Sequence, residues 1–333
     1  MRGVRYNPPS IFTMQKVALL YNPDSGGSRK RQKQLDAALG VLRGAGIESE
    51  LMLAESRASA GDLARAAIDS GCDTIFACGG DGTIHNIVQV LASTDVTLGI
   101  LPLGTANALA HDLGVPSNIE AAARAALTAK PMRVALGRVE YVNLQGAARS
   151  RYFVIAAGVG VDAHLFYKLH TGAKQRMGMA AYYAKAWNLW FTYVMPRFVA
   201  EYEDDESSEK RTTEVTELMG IRIRDFGGMV RELAPGAALE RDDMRVVFAK
   251  TASRAAYLAY VIRGVLGKKW HVPGVELAYS KRVFCNYKEE NNGARVAAGR
   301  QKIYVEADGE LLGTLPATIT VVPKALSVLA PRA

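Results

Sequence analysis

The most constraining feature of this chain is the stretch Thr74-Ile75-Phe76-Ala77-Cys78-Gly79-Gly80-Asp81-Gly82-Thr83-Ile84-His85-Asn86. A short apolar run breaks at GGDGT and then resumes with helical character, which predicts strand, tight turn and helix. The glycines lack Cβ atoms where the backbone must turn sharply or let a ligand come close. A helix starting just beyond offers free N–H groups and the positive end of its dipole to an anion. The turn therefore reads as a phosphate seat. Asp81 in its middle would repel bare phosphate, but it fits if a divalent cation neutralises the pair. The pattern is not the GxxxxGK[ST] loop. Taken alone, a glycine-rich turn at a sheet edge with a surface aspartate accounts for the same residues.

The segments around it repeat the alternation. Residues 16–21 read as a strand that runs into Asn22-Pro23-Asp24-Ser25-Gly26-Gly27-Ser28, either a second phosphate loop or an ordinary strand-to-helix turn. A helix over 29–44, a strand over 48–53 and a helix over 60–69 precede the central strand. A helix over 84–91 follows it, then a strand over 97–103 ending in Leu101-Pro102-Leu103-Gly104-Thr105-Ala106-Asn107. Strands alternating with helices predict a doubly wound parallel α/β sheet, whose loops at the strand carboxyl ends converge on one crevice. Three such loops rich in Gly, Ser, Thr, Asp or Asn point to a nucleotide.

After a helix over 119–127 the texture changes near residue 132 to strand-like alternation with few helices, at 133–143, 151–156, 197–202, 217–223, 245–249, 274–284, 302–305 and 318–322. This predicts a second, antiparallel β-sandwich domain with a cleft between the two. The expected organisation is a disordered extension over 1–13, an α/β domain over 14–132, a β-sandwich over 133–322 and a tail over 323–333 that returns to the first domain. Residues 201–210 read as a solvated hairpin tip. Residues 165–193 read as a helix in which aromatics follow Lys168, Lys174 and Arg176; it suits a membrane interface or the sandwich core.

The 333 residues carry a formal charge of +8, which favours anionic partners. Charge alone is the only argument for nucleic acid, and no recognition motif supports it. Cys72, Cys78 and Cys285 have neither metal-ligand spacing nor the even number of a disulfide framework, so a reducing cytoplasm is the natural setting. No stretch approaches the roughly 20 apolar residues of a spanning helix, and the apolar segment 255–267 is broken by Arg263. Membrane contact is therefore expected to be peripheral. His111, His164, His170 and His271 show no spacing that suggests a metal or triad. Self-association as a homodimer is left open.

With these motifs placed, the sequence resembles the diacylglycerol kinase catalytic-domain family, which includes soluble bacterial lipid kinases and sphingosine and ceramide kinases. Asn22 to Gly26 is similar to its NPxSG loop, Gly79 to Thr83 to its GGDGT and Leu101 to Asn107 to its LPLGTxN. Gly158-Val159-Gly160-Val161-Asp162-Ala163 is similar to GxGxDA, and Asp308-Gly309-Glu310 to DGE. The resemblance implies Mg²⁺-dependent transfer of phosphate from ATP to the hydroxyl of a diacylglycerol-like or sphingoid lipid at the cleft, with transient contact to an anionic membrane surface. It places Asn22, Pro23, Ser25, Gly26, Ser56, Gly79, Gly80, Asp81, Gly82, Thr83, Ile84, His85 and Thr105 around the nucleotide. His85 stands where the family commonly has asparagine. Glu310 is the first choice for the base that takes the hydroxyl proton, with Asp308 next and Asp81 the rival; in isolation an Asp-Gly pair is more simply a β-turn. The family's structural Mg²⁺ turn, Leu-x-x-Asp-Gly-Leu, is matched by Leu239, Asp242 and Met244, with Asp243 in place of the glycine and Arg245 in place of an apolar residue. An NAD kinase, or a catalytically silent lipid-binding module, would share part of this pattern.

Overall fold

In the computed structural model, residues 14–22, 29–54, 59–164, 193–227, 232–288 and 301–331 are described. The extension over 1–13, Pro23, Ser25, Gly26, Ser56 and all but the last residue of the 165–193 segment lie outside them.

β1 (Lys16–Tyr21) has parallel neighbours on both sides, β2 (Glu48–Leu53) and β3 (Thr74–Gly79), and β3 pairs in turn with β4 (Thr97–Pro102). β3 and β4 are buried at every residue, as strands covered on both faces must be, which is why they read as unbroken apolar runs. Side chains still alternate. Ile75 and Ala77 face a core with Ala60, Ala64 and Ala67 of α2 (Ser59–Asp69) and with Ile84, Ile87, Val88 and Leu91 of α3 (Asp81–Leu91). Phe76 and Cys78 face the opposite core, with Leu35, Ala38, Leu39 and Leu42 of α1 (Arg29–Gly44) and with Ile119, Ala122, Ala123 and Ala126 of α5 (Ile119–Ala126). Between β4 and α5 lies a short α4 (Ala108–Asp112).

The chain leaves β1 toward β2 and returns past it to β3, so the strand order reverses between β1 and β3. The crevice at their carboxyl ends is where a doubly wound sheet binds ligands. Asn22 and Gly80 are the residues that leave those two ends.

The second domain is antiparallel. β5 (Lys130–Val142) pairs with β6 (Ala148–Phe153); β7 (Ala156–Gly160) lies between β10 (Glu217–Ile221) and β14 (Tyr304–Ala307). β11 (Met244–Ala249) and β12 (Val275–Ser280) extend that row. β8 (Phe198–Asp204), β9 (Glu209–Val215) and β13 (Arg282–Tyr287) form the facing layer. Phe153, Val159, Phe198, Leu218, Phe248, Val283 and Ile319 fill the space between. The strand expected over 274–284 is two, β12 and β13, broken at Lys281, and the tip expected over 201–210 is mostly the β8–β9 ladder itself.

The last strand ties the domains together. β15 (Glu310–Ala330) starts against β14, runs along β5 and β13, and ends in parallel register with β4 through Ser327 and Val328 opposite Thr97 and Leu98. It runs through residues 322–323 as one strand, although its register against β5 shifts between Val322 and Leu326, where Lys324 takes φ 51°, and it so reaches both domains. The α/β domain and β-sandwich are those that the sequence predicts.

Candidate active site

β3 hands directly to α3: Gly80 is the N-cap and Asp81 the first helical residue, and no side chain caps the helix. In that first turn Thr83 and Ile84 both donate to the Gly80 carbonyl, which leaves the amides of Asp81 and Gly82 without a carbonyl acceptor in the helix, at the carboxyl end of β3. Gly80 packs backbone to backbone on Gly104 of the LPLGTAN loop. A Cβ at Gly104 would sit 2.5 Å from the Gly80 Cα and 2.6 Å from Asn107 Oδ1, so neither contact leaves room for a side chain. Asn107, in the left-handed region at φ 50°, locks the loop by accepting the Gly104 N–H at 2.9 Å and donating to its carbonyl at 3.0 Å. Leu103 N–H donates to the Gly79 carbonyl at 3.0 Å. Two motifs separated in sequence are thus one rigid wall. Asp81 joins them further by accepting the Leu109 N–H at the start of α4. Burial holds the Asp81 carboxyl above its ordinary range, and the charge of Asp308 adds to this.

His85 lies one turn after Asp81, on the same face of α3. Its Nδ1 is 3.2 Å from Asp308 Oδ2, with both side chains buried. Asp308 and Gly309 form the two-residue turn between β14 and β15, with φ 49° and 80°, the signature of a type I′ hairpin. The Asp308 carboxylate also accepts the amides of Val154 (3.0 Å), Ile155 (2.9 Å) and Ala156 (3.1 Å), which link β6 to β7. Asp308 is therefore both the β-turn that an isolated Asp-Gly predicts and an anchor between domains. Glu310 opens β15, half-buried.

Other expected nucleotide residues divide. Asn22 is buried at the end of β1 and Thr105 is exposed on its loop. Thr83 is tucked beneath Gly79, and Ile84 lies inside the first core, so its side chain faces away from the crevice.

GxGxDA makes space for acids. A Cβ at Gly158 would run into the carboxyl of Asp162, and one at Gly160 into the Thr216 carbonyl, with the Glu217 carboxyl close behind. Glu217 accepts the amides of Val161 and Asp162, and Glu306 accepts that of Gly309 at 2.8 Å. Three carboxyls from β14, the end of β7 and β10 so form a row leading away from Asp308. Burial pushes Glu217 and Glu306 well up, with the charge of Asp162 next, and burial also raises Asp162. Beyond them a cavity of about 240 Å³ is walled by Asp162 and Glu217 and by the apolar side chains Met219, Leu233, Val247 and Val275. Glu217 and Glu306 escaped sequence reading; their signal was an acid at the head of the apolar β10 and another within the apolar β14.

At the turn expected to hold a structural metal, the chain supplies its own cation. Arg222, fully buried, donates to the carbonyls of Leu239 (3.0 Å), Ala135 (3.1 Å) and Asp243. Burial lowers its guanidinium to about 10, opposed by Asp243 and Asp242, so it is charged at neutral pH. Asp243 accepts from Nε and Nη2 of Arg241 at 2.6 and 2.5 Å. Met244 is in the sandwich core and Asp242 is exposed. Leu239, Asp242 and Met244 are a poor donor set for a Mg²⁺ ion: the Leu239 carbonyl already accepts from a guanidinium whose charge would repel the ion, and Met244 lies in the sandwich core.

At the active site the fit is better. Asp81 and Asp308 are two carboxylates that repel; Asp81 is half-buried with no Lys or Arg beside it among the described residues, and a cation there would relieve both burdens.

The diacylglycerol kinase catalytic domain matches residues 16–139, and the YegS C-terminal NAD kinase beta sandwich-like domain matches residues 154–330. A diacylglycerol kinase of Bacillus subtilis is 27% identical over 327 residues, covering 96% of this chain and 97% of the relative. One from Mycobacterium tuberculosis is 28% identical over 324 residues, covering 95% and 96%. The crystal structure of a diacylglycerol kinase from Bacillus anthracis superposes with a TM-score of 0.68 at 19% identity, over 96% of this chain and 98% of that one, and shares its fold. Spanned by these matches across both domains, the chain belongs to the diacylglycerol kinase catalytic-domain family and is a phosphotransferase.

Proposed function

We propose that the protein transfers the γ-phosphate of ATP to the hydroxyl of a diacylglycerol-like or sphingoid lipid in the cleft between its domains. The observation that carries this is the His85–Asp308 contact, which sets the GGDGT helix of the nucleotide wall directly against the hairpin of the sandwich. The nucleotide phosphates lie on the N-terminal amides of α3, against the Gly80–Gly104 wall, with Asn22, Pro23, Ser25, Gly26, Ser56 and Thr105 around the rest of ATP. Mg²⁺ bound with ATP supplies charge neutralisation, and Asp81 is the residue that would hold it.

The lipid oxygen attacks the γ-phosphorus, the bond to the ADP oxygen breaks, and the hydroxyl proton passes to a carboxylate. Asp308 is the poorer candidate because three amides and His85 Nδ1 crowd its oxygens and its side chain is 1% exposed. Glu310, two residues along the same hairpin and half-buried, takes the proton. Asp308 fixes the hairpin against α3 and so positions Glu310. The test is Glu310→Gln: turnover should fall by about 10²–10⁴-fold with ATP binding intact. An unchanged turnover and pH–rate profile would remove Glu310 from this role.

A further inference from the structure

Helix α6 (Arg254–Leu266) is apolar on two opposite faces. One face, with Tyr260, Arg263 and Gly264, is buried against the sandwich. The other carries Leu258, Val261, Ile262 and Leu266 at i, i+3, i+4 and i+8, all exposed, Leu266 by 57%. A helix that covers a core on one side normally turns polar residues outward, so an outer apolar stripe calls for a second apolar partner. Together with Trp270 these make five of the nine large exposed apolar side chains among the described residues, concentrated in 13 consecutive positions of 333.

The surroundings say what that partner is. From Thr251 to Val275 the sequence has no Asp or Glu, while Lys268 and Lys269 are exposed just past the helix, beside Trp270. Apolar stripe, indole and adjacent lysines are the composition of a helix lying in a bilayer interface, where each lysine is drawn to acidic headgroups. The face is also continuous with the apolar cavity. Tyr257, Tyr260 and Val261 of α6 form one of its walls, and Val261 is exposed as well, so the cavity opens at the edge of the stripe.

We infer that the outer face of α6, with Lys268, Lys269 and Trp270, docks on the surface of an anionic phospholipid bilayer and sets the mouth of the cavity against it. The choice of a bilayer rests in part on the lipid-kinase reading; the stripe and its charge do not. Docked this way, the protein receives the acyl part of its acceptor through the Val261 edge without drawing it through water.

The test is co-sedimentation of the full chain, without nucleotide, with vesicles of phosphatidylcholine alone or with phosphatidylglycerol. The wild type should bind the anionic vesicles more tightly. Ile262→Glu with Leu266→Glu should weaken binding by roughly tenfold or more. Lys268→Glu with Lys269→Glu should weaken it by about fivefold per lysine and flatten its salt dependence. Both variants should keep wild-type thermal unfolding and wild-type phosphate transfer to a short-chain diacylglycerol dispersed as monomers. Vesicle binding that is absent in the wild type, or unchanged in both variants, would overturn the inference. So would a wild-type dimer that the Ile262/Leu266 variant splits while vesicle binding persists, since the stripe would then cover a second copy. Vesicle binding lost in the variants from a wild type that phosphorylates no lipid would uphold the docking surface and remove the kinase reading instead.

Discussion

His85 Nδ1 and Asp308 Oδ2 lie 3.2 Å apart, although 223 residues separate them in the chain. The contact joins the first turns of α3 to the turn between β14 and β15. Asp81 lies one turn before His85 and Glu310 two residues after Asp308, so the pair fixes the distance between the Gly80–Gly104 wall and the β14–β15 hairpin.

Removing the anchor should therefore cost stability as well as activity. Asp308→Ala would leave the amides of Val154, Ile155 and Ala156 without an acceptor, at about 1–3 kcal/mol for each buried group that water fails to reach. His85→Asn removes one contact and leaves the three amide bonds in place. Thermal unfolding should rank wild type, His85→Asn, Asp308→Ala in falling order, and an Asp308→Ala protein as stable as the wild type would contradict the anchoring role.

The buried guanidinium makes a prediction about metal. With Arg222 on the carbonyls of Leu239, Ala135 and Asp243, a chelator should leave the melting temperature of the nucleotide-free protein unchanged. Arg222→Met would strand those carbonyls and should destabilise by about 3 kcal/mol or more. A melting temperature that falls with chelator would mean that a metal shares this turn.

The row of acids predicts a pH dependence. Glu217 and Glu306 have folded-state affinities for the proton raised well above their unfolded values, first by burial and then by the charge of Asp162. For a group raised in this way, the folded protein binds more protons than the unfolded chain. The stability they contribute is fully present below the ordinary glutamate range and is lost as pH rises through the raised values. Glu217→Gln keeps the neutral, hydrogen-bonding form at every pH, so its stability should fall less than that of the wild type between acid and alkaline pH. Denaturant unfolding at a series of pH values measures this; parallel curves for the two proteins would refute it.

The parts legible in the sequence are those that depend on local pattern. β3 and GGDGT announced themselves because a strand covered on both faces must be apolar throughout and a backbone contact such as Gly80 on Gly104 excludes side chains. What escaped was set by pairing across long separations. Nothing near Arg222 in the chain indicates that its guanidinium meets Leu239 and Ala135, since an arginine in an apolar strand has no local period to mark it. The same holds for the metal expectation at Leu239, Asp242 and Met244: the motif runs along the chain, whereas the guanidinium beside it arrives from β10's end. Likewise Asp308 looked like a turn residue or a base, and only the fold brings the 154–156 amides onto it. The outward stripe of α6 was visible as an apolar segment, but only burial of the opposite face shows that the stripe has no partner in the chain among the described residues.

The central claim is that Asp81 serves phosphate transfer from ATP to a lipid alcohol, and the most direct measurement is transfer from radiolabelled ATP, with Mg²⁺, to a panel of diacylglycerol, monoacylglycerol, sphingosine, ceramide and phosphatidylglycerol, with NAD alongside. The account predicts label in at least one lipid, none in NAD, and a loss of at least about a hundredfold in Asp81→Asn, a protein that should fold at least as stably because it sheds a half-buried charge that repels Asp308. Label in NAD and in no lipid, or full transfer by Asp81→Asn, would contradict it.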